Sequence, residues 1–115
     1  MAKYLDICIQ PISKKHVAEY RKITKTVGEI LVRHGALSSS DYVADDKNAI
    51  SDSFPKTIKA KKDEVLIVAL AEFKSKAHRE AVFKKMMKDP KMEKITMQPS
   101  KSALIGGFKL LVSVK

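Results

Sequence analysis

Residues 65–73 read Val-Leu-Ile-Val-Ala-Leu-Ala-Glu-Phe, and this stretch decides the fold of the 115-residue chain. Alternate side chains of a strand point to opposite faces, and here both sets are apolar. One set is Leu66, Val68 and Leu70, and the other is Val65, Ile67, Ala69, Ala71 and Phe73. A strand that is apolar on both sides needs cover on both sides, so residues 65–73 predict an inner strand of a sheet.

Three further segments have the pattern of strands. Residues 4–9 place Leu5, Ile7 and Ile9 on one face, and Pro11 is expected to end that strand. Residues 36–44 predict a weaker strand at an edge of the sheet, and residues 103–114 predict the last strand.

Two helices are predicted between the strands. Ser13 is a favourable N-cap for a long amphipathic helix that runs to about His34, and Gly35 follows at its C-cap position. Ser75 caps a second helix, which ends before Pro90. The apolar stripe expected on that helix consists of Ala77, Ala81, Val82 and Met86, with Met87 as a further candidate.

The element order β-α-β-β-α-β predicts an α+β protein of the ferredoxin-like class, with a four-stranded antiparallel sheet and both helices on one face. Residues 1–115 are expected to form one domain. The helices leave the other face of the sheet uncovered, and a second copy of the sheet would cover it. We therefore expect a homodimer in which two sheets pack face to face as a dimeric α+β barrel.

The connection between the second and third strands, residues 45–63, is too long for a hairpin turn. It contains the apolar residues Ile50, Phe54 and Ile58 in an otherwise polar stretch. These side chains predict that the connection docks on the body of the protein.

The charge balance bears on the choice of partner. The formal net charge is +10, but only three of the 23 basic residues are Arg, the residue best suited to bidentate phosphate and guanine recognition. The third strand also lacks the basic-glycine-aromatic pattern of RNA-recognition modules. The sequence thus argues against a nucleic-acid partner, and weak non-specific binding of polyanions is the alternative.

No apolar run approaches the length of a membrane span, and Asp6 interrupts the start of the chain where a secretory signal would be apolar. These features predict a cytoplasmic protein with no membrane partner. The chain has a single cysteine, Cys8, so it cannot form an internal disulfide.

Several short motifs, taken together and in register, carry a resemblance to a known family. They are His34-Gly35-Ala36-Leu37, Asp45-Asp46, Ser53-Phe54-Pro55-Lys56, Ala60-Lys61, Asp63-Glu64, Lys74-Ser75-Lys76-Ala77-His78-Arg79-Glu80, Asp89-Pro90 and Gly106-Gly107-Phe108. In these the chain resembles the YbaA-like family of domains of unknown function, DUF1428. The resemblance implies a dimeric α+β barrel and no settled activity. Relatives by fold in that superfamily include small monooxygenases without a bound cofactor.

Three residues are candidates for catalysis. Asp6 lies opposite the apolar face of the first strand, so in a face-to-face dimer it would point into the barrel, where burial raises the pKa of a carboxyl and suits a general base. Asp41 is a second carboxylate candidate, and His78, near the start of the second helix, could move protons at neutral pH. A structural role is the alternative for each: a paired carboxylate, a solvated carboxylate and a locally hydrogen-bonded imidazole.

Tyr4, Ile67 and Phe108 are predicted to contact a ligand in the barrel interior. No two histidines have metal-ligand spacing and one cysteine cannot form a thiolate site, so neither a metal site nor a cofactor is predicted.

Three functions follow as hypotheses. The first is a homodimeric protein that binds a small molecule inside the barrel, and the sequence leaves open whether it is also a cofactor-independent enzyme. The second is the non-specific polyanion-binding protein. The third is a structural or stress-associated interaction protein without a ligand.

Overall fold

The computed structural model describes residues 3–45, 54–95 and 102–115. Four strands, four α-helices and a short 3-10 helix, Lys14–His16, are formed in these ranges. The strands and helices, in chain order, are β1 (Tyr4–Ser13), α1 (Val17–Arg33), β2 (Ser38–Val43), α2 (Phe54–Thr57), β3 (Glu64–Phe73), α3 (Lys76–Met87), α4 (Pro90–Glu93) and β4 (Leu104–Lys109).

The four strands form one antiparallel sheet in the order β2-β3-β1-β4. The apolar stretch that decides the fold is β3, which pairs with β1 on one side and with β2 on the other. The prediction of an α+β protein with a four-stranded antiparallel sheet is confirmed. The weak strand β2 lies at an edge, where its three serines need less apolar cover.

The register assigns each side chain to a face, because residues directly opposite each other on paired strands share one. Asp6 lies opposite Ala71 and Gly107, and Ala71 lies opposite Ser39. Contacts with α1 and α3 show that the helices cover this face, which we call the helix face. The other side, the open face, carries Leu5, Ile7, Ile9, Tyr42, Val68, Leu70, Leu104 and Phe108.

The main core lies between the helix face and the two long helices. Phe73 is fully buried and its ring meets the Phe83 ring edge-on, with the ring centroids 5.8 Å apart. Leu31 of α1, Ala36 and Val82 of α3 pack with Phe73. This core closes one end of the space between the helices and the sheet.

A polar cluster joins the end of α1 to the start of α4. Asp89 accepts hydrogen bonds from Arg33 and from the backbone N–H of Lys91, the latter at 2.9 Å, and its Oδ2 lies 2.8 Å from His34 Nε2. These partners, with His34 contributing most, hold the pKa of the Asp89 carboxyl well below its usual range. Asp89 is therefore expected to carry its charge at all ordinary pH values.

Both predicted helices form, and the start of α1 differs from the prediction. Gly35 has a φ of 120°, a conformation that favours glycine, so the predicted stop of α1 is confirmed. Ser75 caps α3 by accepting the His78 N–H at 3.0 Å, also as predicted. Ser13, however, makes no capping hydrogen bond through its side chain, because the 3-10 helix intervenes between it and α1.

The buried stripe of α3 differs from the prediction. Val82 is buried and Met86 is partly buried, but Ala77, Ala81 and Met87 are exposed. The helix is rotated so that its longer side chains face the sheet. The residues of α3 on that side are His78, Arg79, Val82, Phe83 and Met86.

Two strand ends also differ. β1 continues through Pro11 to Ser13, because beyond Ile9 it pairs with β3 alone and β4 needs no N–H from the proline. β4 ends at Lys109, although the apolar alternation continues to Val114. Beyond Leu110, which donates its N–H to the Lys3 carbonyl, β1 offers no further pairing positions in the described chain.

The docking predicted for the 45–63 connection fails at Phe54. This side chain, at the start of α2, is 64% exposed, although α2 itself contacts β3. Ile58 is partly buried, and Ile50 lies outside the described residues.

Candidate functional site

A cleft of about 520 Å³ lies between the helix face of the sheet and the two helices α1 and α3. It exists because the middle of the helix face carries small residues. Its walls come from β1, β2, β3, β4, α1 and α3, and the residues with small side chains along it are Cys8, Ser39, Ala69, Ala71, Gly106 and Gly107. Bulky side chains at those positions would fill the space that the helices leave open.

One wall of the cleft is an ion pair between strand and helix. Arg79 Nε of α3 lies 3.6 Å from Asp6 Oδ1 of β1, a distance that brings the charges together but is too long for a hydrogen bond. Among the described residues Arg79 Nε is buried and has no hydrogen-bond partner. The pair thus presents a donor and an acceptor side by side, and neither uses the other as a hydrogen-bond partner.

Tyr4 orients this arginine. Arg79 Nη2 donates to the Tyr4 hydroxyl at 3.3 Å, and the guanidinium carbon lies 5.5 Å from the centre of the Tyr4 ring and 5.4 Å from that of Phe83. Two aromatic rings and one hydroxyl therefore fix the guanidinium. The hydrogen bond that Arg79 donates to Tyr4 contributes most to raising the pKa of Arg79, so the group stays charged.

Gly107 makes the position of Tyr4 available. A Cβ at residue 107 would lie 2.1 Å from the Tyr4 hydroxyl oxygen. The backbone of β4 and the Tyr4 ring therefore approach each other closely at this glycine.

The opposite wall of the cleft is built around Asp41 of β2. Tyr20 of α1 donates its hydroxyl to Asp41 Oδ2 at 2.7 Å, and Thr24, one helical turn further, donates to Oδ1 at 2.9 Å. Burial and the hydrogen bond to Asp41 raise the pKa of Tyr20, so its proton stays on the phenol oxygen. Each oxygen of Asp41 thus has a fixed donor from α1.

The two carboxylates therefore have different environments. Asp41 is held by two hydroxyl donors, whereas the partner of Asp6 within the described ranges is the arginine at 3.6 Å. Burial raises the pKa of Asp6, the charge of Arg79 lowers it in part, and Glu80 raises it again. Asp6 is the carboxylate that can exchange a proton or accept a hydrogen bond from a ligand, and Asp41 is fixed in place.

Cys8 lies on the cleft floor, on the strand that carries Asp6. Burial raises the pKa of its thiol and the nearby charge of Asp41 raises it further. A thiol of raised pKa is a weak nucleophile, so its surroundings favour Cys8 as a small lining residue.

The sequence-predicted site residues fall in three places. Asp6 and Asp41 both line the cleft. Asp6 points toward the helices of its own chain, so the expectation that it faces a barrel interior between two sheets is wrong. The cause is that its face, though less apolar than that of Leu5 and Ile7, is the one that the helices cover.

His78 lies apart from both carboxylates. Its Nδ1 accepts the backbone N–H of Lys74 at 3.0 Å, and its ring packs edge-on against Phe73. It is not among the residues that line the cleft. This placement corresponds to the structural alternative, a histidine bonded locally in the first turn of its helix.

The three predicted ligand contacts do not converge. Tyr4 reaches the cleft wall through Arg79. Ile67 is buried on the helix face, beside Tyr20 and Val17. Phe108 is on the open face and is 54% exposed. The prediction placed them in one interior, but the register separates Phe108 from the other two by the thickness of the sheet.

Arg79, Tyr20 and Thr24 are the site residues that sequence reasoning missed. Tyr20 and Thr24 are one turn apart on α1, a spacing that indicates a shared face. Arg79 precedes the core residues Val82 and Phe83 by three and four positions, and this spacing on a helix signals an arginine turned toward the core.

Two searches of the described residues were negative. No three His, Cys, Asp or Glu side chains in those ranges are grouped as a metal site requires. Within the same ranges no helix has the length and apolar character needed to cross a membrane.

Comparisons with known proteins identify a family and give little further information. Seven chains of solved structures match, among them one described as "De novo designed protein Foldit4", with 13% sequence identity, 96% of this chain and 100% of that chain covered, and a TM-score of 0.49. No curated protein matches. The profile of a family described as "Protein of unknown function (DUF1428)" matches residues 3–102. Because this match covers most of the sequence, the chain belongs to the DUF1428 family.

Proposed function

We propose that this protein binds a small, largely apolar molecule in the cleft between its sheet and its helices. The observation that carries the proposal is the cleft itself, about 520 Å³ in volume, with Asp6 and Arg79 at one wall and Asp41 at the other. Ligand sites of proteins are typically concave, mostly apolar and marked by a few polar groups that fix orientation.

The size and lining of the cleft set the class of molecule. The volume lies within the range of small-molecule sites, and Val27, Leu31, Phe83 and Ile105 supply apolar surface. A ligand with one or two rings would bury its apolar body against these side chains. The carboxylates and the guanidinium would then select which polar groups it carries.

The proposal includes the ferredoxin-like class and the dimeric barrel. The strand order β2-β3-β1-β4 with antiparallel pairing supports the first. Support for a homodimer comes from the open face, where Leu104, Phe108 and Tyr42 are each more than half exposed. A second copy placed on this face would bury them.

The site of the ligand differs from the sequence-based expectation. That expectation put the ligand between two sheets, whereas the cleft proposed here lies within each chain. Association of two copies would cover the open face and leave a cleft in each copy.

The ligand proposal is tested by titration of isotope-labelled protein with 2-methoxynaphthalene, followed through amide chemical shifts. The expected shifts cluster at Ala69, Ala71 and Thr24, and Ala71→Leu, which fills the floor, abolishes them. Phe108→Ser on the open face is the matched control and leaves them unchanged. Shifts confined to the open face, or none at all, would contradict the proposal.

The dimer is tested separately by light scattering during size-exclusion chromatography. Leu104→Glu places a charge on the open face and is expected to yield monomers, whereas Lys84→Glu on exposed α3 leaves the dimer intact. A monomeric unmodified protein would remove this part of the proposal. Replacements at Ile67 or Ala69 do not test it, because both residues lie on the helix face.

Non-specific polyanion binding is the second candidate, favoured by exposed lysines on α3 and beyond it. They are Lys76, Lys84, Lys85, Lys88, Lys91 and Lys94. Such contacts neutralise phosphates without reading sequence, so affinity for a duplex oligonucleotide should fall steeply as salt rises from 50 to 200 mM. Binding that persists at the higher salt and prefers one sequence would place this function first.

The proposal also includes that residues 1–115 form one domain and that the protein is located in the cytoplasm.

A further inference from the structure

We propose that the Asp6–Arg79 pair recognises a hydroxyl group on the ligand, so that the cleft selects apolar molecules that bear a phenolic or enolic O–H. The inference rests on the proposed binding function and names the polar group for which the cleft is built. It comes from the hydrogen-bonding state of the two side chains.

The arginine has a buried donor without an acceptor. Arg79 Nη2 donates to Tyr4, but Nε has no hydrogen-bond partner among the described residues. A buried N–H without a partner is costly and therefore rare, and an acceptor on a bound molecule would remove that cost.

The neighbouring carboxylate provides the complementary group. Asp6 Oδ1 is 3.6 Å from Arg79 Nε, and both side chains line the cleft. Because Arg79 Nε is buried, a ligand oxygen meets both groups only when the guanidinium turns toward the cleft, and it can then lie within about 2.7–3.0 Å of each. That oxygen must accept a hydrogen bond from the arginine and donate one to the carboxylate.

A hydroxyl is the simplest ligand group that does both. An ether or a carbonyl oxygen can accept from Arg79 but has no proton for Asp6, and an ammonium group can donate to Asp6 but cannot accept. Repulsion from the Asp6 carboxylate also disfavours a ligand carboxylate. A water molecule can make the same two bonds, so the test must measure what a ligand hydroxyl adds.

The other wall does not offer this choice. Both oxygens of Asp41 are occupied by Tyr20 and Thr24, whose hydroxyls are held by α1. Hydroxyl recognition is therefore assigned to the Asp6 end of the cleft, where the donor and the acceptor are both available.

The test compares 2-naphthol with its methyl ether, 2-methoxynaphthalene, in NMR titrations of the full-length protein. We expect 2-naphthol to bind about tenfold more tightly, the effect of one hydrogen bond to a charged group. Asp6→Leu and Arg79→Met should each reduce this preference below about threefold. Lys84→Glu, on the exposed side of α3 and outside the cleft, is the control and should preserve it.

The outcomes separate the two proposals. If both compounds bind in the cleft with equal affinity, hydroxyl recognition is wrong and the binding function stands. If neither binds in the cleft, both proposals are wrong. A preference that survives in folded Asp6→Leu and Arg79→Met proteins would also overturn the assignment, and two variants at different elements guard against one that fails to fold.

Discussion

Replacing Gly107 by alanine tests how the Asp6–Arg79 wall is built. The new Cβ would lie 2.1 Å from the Tyr4 hydroxyl oxygen and 2.8 Å from the ring carbon that bears it, whereas real Cβ contacts are essentially never shorter than 3.0 Å. The Tyr4 ring must therefore move by about 1 Å, an estimate that follows from close packing. That movement disturbs the hydrogen bond from Arg79 to the tyrosine.

The expected cost follows from two opposing effects. Forced repacking around an added methyl typically destabilises by about 1–3 kcal/mol, and replacing a glycine of ordinary φ by alanine returns about 0.4–1 kcal/mol through the unfolded state. We expect Gly107→Ala to lower the free energy of unfolding by about 1–2 kcal/mol. Urea denaturation followed by circular dichroism measures it.

Gly106→Ala is the matched control. Among the described residues its Cβ would meet the Phe108 ring, at 3.2 Å, a contact much milder than the one at Gly107. The change should stay within about 0.5 kcal/mol. Equal stability of the two alanine variants would refute the reasoning. So would an unchanged cost of Gly107→Ala in a Tyr4→Ala background, where the clash is absent and the cost should vanish.

Three further predictions concern stability. At pH 7 Asp6→Asn should leave the urea midpoint unchanged or raise it, because the folded protein disfavours the ionised carboxyl of raised pKa. Asp41→Asn should cost about 1–3 kcal/mol, because it weakens two charged hydrogen bonds. The reverse order would contradict the roles given to the two carboxylates. Because the pKa of Asp89 is lowered in the folded protein, this carboxylate stabilises the fold above its unfolded pKa of about 3.9, and the contribution is lost as pH falls toward its folded pKa. The difference in urea midpoint between the unmodified protein and Asp89→Asn should therefore shrink on acidification from pH 7 to pH 3, and a larger difference at pH 3 would contradict this. Phe73→Ala should cost about 3–5 kcal/mol in the same assay and Phe54→Ala less than about 0.5 kcal/mol, and similar costs would show that the exposure of Phe54 is misjudged.

The sheet and its order of elements could be predicted because periodicity, caps and breakers agreed. The two apolar faces of residues 65–73 required an inner strand, and β3 has strand neighbours on both sides. Ser75 and Gly35 fixed a helix start and a helix end through local chemistry. Each of these signals acts within a few residues and needs no knowledge of distant contacts.

The choice of face could not be predicted from alternation alone. Leu5, Ile7 and Ile9 form the more apolar face of β1, which favoured placing it against the helices, yet the helices cover the face of Asp6 and Cys8. Which face the helices cover depends on the path of the connections and on packing partners from other elements. Arg79 and Tyr20 are such partners: Arg79 forms an ion pair with Asp6, and Tyr20 donates a hydrogen bond to Asp41.

Local patterns could predict only part of the site. A carboxylate on an otherwise apolar strand marked Asp6, and the structure places it in a cleft. The pairing with Arg79 spans 73 positions of the chain, and no local pattern reports a contact of that range. Tyr4 and Ile67 were predicted to share one interior with Phe108, but the register puts these two on the helix face and Phe108 on the open face.

The most direct test of the cleft as a ligand site is an isotope-filtered NOE measurement on the protein with 2-naphthol bound. The binding proposal predicts NOEs from the naphthol ring protons to the methyl groups of Ala69, Ala71, Val27 and Leu31, which line the space between the helices and the sheet. NOEs only to Leu104 and Phe108 would place the molecule on the open face and contradict the proposal.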